Sequence, residues 1–218
     1  MVAENIARCA GCPTVPTADR VSNFQEGWMN SPGHRQNILA KGLESFGFGI
    51  IGEDGEQFAV QTFAGPGVPL ALRPNEEPVA LSPAEQLSTA ANIINAERTR
   101  EGLTPIETSD SLDTVAQLLL PKDQYGEMIM ERPDNLFHLL PAGTATDWTS
   151  IEVMAGECGG CGVQPTEADI RYFVDHWLKD QQNRRTLLGF GTSHIGISML
   201  SNGEGRKILI AVAGNHSE

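Results

Sequence analysis

The stretch "WMNSPGHRQNIL", residues 28–39, sets His34 directly after a Ser-Pro-Gly turn and before an apolar tail. An imidazole held there can ligate a metal or move a proton near neutral pH; in the plainer case it caps local carbonyls at the surface. The other residues with chemistry are cysteines in two CxxC pairs, Cys9 with Cys12 and Cys158 with Cys161. Two such pairs can share one zinc ion if they converge, and each can instead form a local disulfide or a reduced thiol pair. No nucleophile with a base and an orienting third group is recognisable, so no catalytic residue is assigned.

The totals narrow the function classes. At 218 residues and 40% hydrophobic content, the chain fits one or two ordinary domains. Its formal net charge of -13 repels phosphate backbones and anionic lipid heads, so nucleic acid is not an expected partner. No apolar run approaches the length that crosses a bilayer, which argues against an integral membrane protein. The opening "MVAENIARCAGC" lacks the basic end and apolar core of a signal peptide. The chain as given is therefore expected to be unexported or to lack its own beginning.

The elements that must position these residues are written twice. The differences 158 − 9, 161 − 12 and 177 − 28 all give 149, pairing the cysteines and Trp28 with Trp177. The same ungapped offset pairs Gly11/Gly160, Pro16/Pro165, Phe24/Phe173, Arg35/Arg184, Gly47/Gly196, Ala64/Ala213 and Gly65/Gly214. Such a register reads as two copies of one structural unit. It favours a clip or thiol pair local to each copy over a shared zinc.

Each copy predicts the same order of elements. Pro16-Thr17 leads a helix whose Val21, Phe24 and Trp28 form one stripe, and Ser31-Pro32 starts a second, short helix. "SFGFGII" and "QFAVQTFAG" then read as a hairpin turning at Gly52-Glu53-Asp54-Gly55. The second copy repeats this with a helix from Thr166 to Lys179, a short helix near Arg184 to Leu188, "HIGISML" and "KILIAVAG". Between the copies, "GPGVPLALRPNEEPVALSP" reads as a semi-extended linker. Ser82 and Glu85 form a capping box for a helix from about Pro83 to Glu101, with Leu87, Ala90, Ala91 and Ile94 buried and Glu97-Arg98 as a polar end. A second helix is expected over about 111–120. The first copy has no such helices ahead of it. Its Val21, Phe24 and Trp28 and the strands over 46–64 are therefore expected to expose apolar surface.

"AENIA", then "WxxSPGHRxNIL", "FGFGI" and "FAVQTFAG", together resemble the CAP superfamily: the cysteine-rich secretory, antigen 5 and pathogenesis-related-1 proteins with their SCP domain. Asn95, Arg98, Gly102 and Leu103 match the "NxxRxxxGL" of that family's N-terminal helix. The resemblance implies an α/β fold, the three-layer α-β-α CAP sandwich, here as one near-complete copy plus one C-terminal half copy. The expected boundaries are 1–66 for the C-terminal half of a first CAP domain, 67–81 for a Pro-rich linker and 82–215 for a second, degenerate CAP domain. It also implies a cleft lined by Glu and His that in several members binds a divalent metal such as zinc. By motif match these are Glu4 and His34. In the second copy Asn183 replaces His34, Glu152 fits the glutamate only with one residue inserted before Cys158, and His138 is a candidate for the other cleft histidine.

Three functions follow from the resemblance. The preferred one is a secreted-type, non-enzymatic module that binds a lipid, sterol or protein partner, located extracellularly or in the periplasm. The alternatives are a metal-dependent hydrolase using Glu4 and His34, and a structural scaffold. Trp28 and Trp177 are expected in helix–sheet cores rather than as ligand platforms.

Overall fold

The structure, a computed structural model, describes residues 1–123 and 133–217. The chain divides into two compact units, Met1–Val68 and Pro69–Glu218.

The first unit runs β1 (Val2–Ala10), α1 (Ala18–Asn30), α2 (Pro32–Ile38), β2 (Ser45–Glu53) and β3 (Glu56–Ala64). Thr17 caps α1 by accepting from the Arg20 amide, and Pro32 occupies the first turn of α2, where its missing N–H is no loss. Asp54 and Gly55 both take positive φ, which suits the two-residue turn between right-twisted strands. The strands form an antiparallel sheet in the order β1-β3-β2. Alternation sends Ala7, Cys9, Ala59 and Ile50 to one face, where α1 covers them with Phe24 and Trp28.

This corrects one expectation. Phe24 and Trp28 are buried, at 7% and 2% exposure, because α1 packs on its own sheet and needs no further layer for them. The strands over 46–64 do expose Phe46, Phe48, Ile51 and Phe58 as expected, and Val2, Ile6, Val15 and Leu39 are exposed as well.

The second unit repeats the order as β5 (Trp148–Gly159), α5 (Glu167–Lys179), α6 (Gln181–Leu188), β6 (His194–Ser201) and β7 (Arg206–His216). The strand order β5-β7-β6 and the antiparallel sense also recur. Ahead of these come α3 (Pro83–Arg100), the two-residue β4 (Glu107–Thr108), which pairs parallel to β6, and α4 (Asp110–Leu119). Ser82 and Glu85 make the capping box of α3, both reciprocal bonds being present. One face of the sheet presents Leu209, Ala211 and Ala213 to α3 and α5; the other presents Ile208, Ile210 and Val212 to α4. The unit is an α-β-α sandwich, and the chain's fold class is α/β.

Two sequence readings shift. Cys9 pairs with Gln57 but Cys158 with Lys207, so the offset is 149 on β1/β5 and 150 on β3/β7. The second hairpin turn carries one extra residue, so Ala64 aligns with Gly214, not with Ala213. Arg98, read as part of a polar helix end, is buried. It donates to the carbonyls of Thr104 (2.8 Å), Leu187 (2.7 Å) and Thr192 (3.2 Å), joining α3 to the loop after α6. The segment before α3 is tied down as well: Arg171 of α5 donates to the Ala71 carbonyl and to Glu76, and Leu81 donates to the Pro165 carbonyl.

Candidate functional site

In the first unit the "AENIA" strand and the "SPGHRQNIL" helix meet through amides. Asn5 is fully buried and donates to the His34 carbonyl at 3.1 Å and to Gln61 Oε1 at 3.2 Å. Asn37 donates to Asn5 Oδ1 at 3.0 Å and to the Glu4 carbonyl at 2.9 Å, and Gln61 donates to Gln25 Oε1 at 2.7 Å. Every bond of this ladder joins different elements, and three of them link β1 to α2, so it sets the position of α2 along β1. In the sequence Asn5 stands only inside the "AENIA" motif; its inward position follows from the strand register, and an unpartnered amide there would cost about 1–3 kcal/mol.

Gln25 and Gln61 also line a groove of about 590 Å³, whose other walls include Val21, Trp28, Phe46 and Phe48. Phe46 is 63% exposed and Phe48 40%, high for aromatic side chains flanking a concave surface. An apolar wall over an amide floor can hold an apolar body and offer hydrogen bonds to a polar end.

Glu4 follows a different course. It alternates with Asn5 on an unshifted strand, so its side chain leaves the opposite face of the sheet and is exposed. No hydrogen bond or ion pair joins Glu4 to His34. Among the described residues neither belongs to a group of three converging metal-ligating side chains. These two donors, as placed, do not make the ligand set of a divalent ion.

The second unit places its candidates apart. Glu152 faces α6 and accepts from the Thr186 hydroxyl; the two line a polar cavity of about 440 Å³ with Ser150, Gln182, Arg185 and Thr192. β5 pairs with β7 without a shift from Ser150 to Gly159, so Glu152 occupies the register of Ala3, and Val153 that of Glu4. Asn183 lies on the first turn of α6, where its amide donates to the capping Asp180 side chain. His138 lies in the 3-10 turn Leu136–Leu139 beside Asn135; that turn packs on the α4 side of the sheet, away from Glu152. The polar ladder has no counterpart here: Met154, Ala211, Val174 and Thr186 stand in place of Asn5, Gln61, Gln25 and Asn37.

Both CxxC pairs are disulfides, Cys9–Cys12 and Cys158–Cys161. Cys158, Cys161 and Asp169 do converge. However, the sulfurs are bonded to each other, and Asp169 Oδ2 receives the Lys207 ammonium at 2.7 Å, so no open thiolate set is offered. Burial pushes the Lys207 pKa down, and the Asp169 carboxylate opposes that.

Residues 13–63 match the CAP family, the cysteine-rich secretory protein family. The CAP match lies wholly inside the first unit and includes α1, His34, β2 and most of β3. No curated protein matches the sequence. Among solved structures, Na-ASP-1 superposes with a TM-score of 0.50 at 7% identity, covering 100% of this chain and 74% of its own, a likeness of fold alone. A cysteine-rich secretory protein from Staphylococcus aureus gives 0.45 at 12% identity, covering 83% of this chain; the present chain spans 60% of it. An outer surface protein from Borrelia burgdorferi gives 0.46 at 15% identity, over 65% of this chain and 100% of its own.

Proposed function

We propose that this protein is a non-enzymatic CAP-type binding module whose first unit holds a lipid, sterol or protein partner in the groove beside α1. The observation that carries this is the exposure of Phe46 and Phe48 along the walls, over the Gln61–Gln25 floor. In this reading residues 1–66 are the C-terminal half of a first CAP domain, 67–81 connect, and 82–215 are a second copy. Glu4 lies on the sheet face opposite this groove, and His34 supports the groove only through its main-chain oxygen, which accepts from Asn5. Export to an extracellular or periplasmic space agrees with two disulfides, which persist in oxidising compartments.

The test is equilibrium binding of the full chain to a fluorescent sterol, a fluorescent fatty acid and the helical peptide described below, in the native protein and in Phe48→Asp. Saturable binding of at least one probe, weakened at least about tenfold by a charge on that wall, is expected, since tenfold is about 1.4 kcal/mol. Failure of all three probes to bind would overturn the proposal.

A further inference from the structure

The two units have the same core order, yet only one carries α3, β4 and α4. Three surfaces of the first unit correspond to the places those elements occupy in the second. The first is the groove. Val21, Gln25, Trp28, Phe46 and Phe48 align with Ile170, Val174, Trp177, Ile195 and Ile197, which are at most 3% exposed in the cluster that buries Ala90, Ala91 and Ile94 of α3. The second is the outer edge of β2. Its counterpart β6 takes β4 as a parallel neighbour, with the Glu107 and Ser109 amides donating to the Ser193 and Ile195 carbonyls.

The third surface is the sheet face opposite α1. In the second unit α4 lies so close to Gly196 that a Cβ there would come within 2.1 Å of the Asp113 nitrogen. Gly47 holds the same register position, where a Cβ would meet only the Thr62 side chain. On that face Val2 and Phe58 are 81% and 41% exposed, while Ile151 and Ile208 at the matching positions of the second unit are 9% and 5% exposed.

We propose that groove, strand edge and open face form one docking surface for a partner polypeptide supplying an α3–β4–α4-type helical pair. This deepens the binding reading above and rests on it, naming the partner's chemistry: two amphipathic helices joined by a short extended segment. Glycine at position 47 lets a helix backbone approach the sheet. The carbonyls of Ile38, Ala40 and Leu43 stand in register with those around Arg98, which suits an arginine on the first incoming helix. A second copy of this chain is a poorer occupant, because its own α3 and α4 already cover its second unit.

The experiment adds a labelled synthetic peptide of residues 82–121 to the full-length protein, reading anisotropy and amide hydrogen exchange. Saturable one-to-one binding is expected, with exchange slowed over β2. Phe48→Asp or Gly47→Val in the protein, and Leu112→Asp in the peptide, should each weaken binding about tenfold or more. Because both protein positions face solvent or a flexible neighbour, the variants should keep the native circular dichroism. Absence of saturable binding, indifference to these variants, or protection appearing on β6 instead of β2 would overturn the inference. So would self-association of the protein that protects β2 without peptide. If the sterol or fatty acid binds while the peptide does not, this inference falls and the general binding reading stands.

Discussion

Asn5 donates its side-chain amide to the main-chain oxygen of His34, at 3.1 Å. That bond fixes the motif helix to the motif strand through backbone, not through the imidazole. Asn5→Ala should leave the buried Gln61 Oε1 without its donor and the His34 carbonyl without its side-chain partner, and destabilise the protein by about 1–3 kcal/mol. His34→Ala keeps the carbonyl and should change stability by no more than about 0.5 kcal/mol. Urea unfolding of both variants checks the contrast, and the assignment fails if the two losses are equal.

Lys207 and Asp169 are buried together, the ammonium also donating to the Cys161 carbonyl at 2.7 Å. Asp169 in turn accepts from the Thr166 amide and hydroxyl at the start of α5. Lys207→Met leaves a carboxylate buried without its counter-charge and should cost about 3–5 kcal/mol. The first unit has neutral Gln57 at this position, donating to the Pro13 and Val15 carbonyls, so the pair is not required by the topology. A denaturant midpoint in Lys207→Met matching the native protein would show that the pair does not hold α5.

Gly196→Val should be among the most damaging single changes, above about 4 kcal/mol, because α4 backbone occupies the space its side chain needs. Gly47→Val should be mild, since only the Thr62 side chain must move. Thermal melts of the two variants decide this, and equal losses would contradict the difference between the two sheet faces.

Glu76 is tied to Arg171 at 2.7 Å, and that hydrogen bond holds its carboxyl below the ordinary 4.5. A depressed carboxylate pKa contributes stability above its unfolded value and loses it as pH falls through the folded value. The segment leading into α3 should therefore resist proteolysis at neutral pH and become progressively more cleavable as pH falls below the ordinary carboxylate value of 4.5. Glu76→Gln should be cleavable already at neutral pH. Limited proteolysis across pH, with mass mapping of the cuts, tests both statements.

Much of the fold was legible because its signals are local. Thr17, Ser82 and Thr166 cap the helices that their positions predict, and Asp54-Gly55 forms the turn that its dihedral needs require. β1 was harder to read. Its inward positions are Ala3, Asn5, Ala7 and Cys9 and its outward ones include Val2 and Ile6, so alternation carries no clean polarity. The amide ladder was invisible for the same reason: asparagine and glutamine on a strand look like surface until their partners on α1 and α2 arrive.

The repeat at 149 residues and the helix-helix-hairpin order within each copy come from the sequence alone, since each depends on neighbours along the chain; that both cysteine pairs are disulfides came from the structure. Which face each side chain takes came only from tertiary structure. Pairing register put Glu4 and Asn5 on opposite sides of one strand, and a single extra turn residue moved β7 by one position against β3. Strand faces alternate with every residue, so a one-residue step, too small to disturb a sequence pattern, exchanges what is buried for what is exposed.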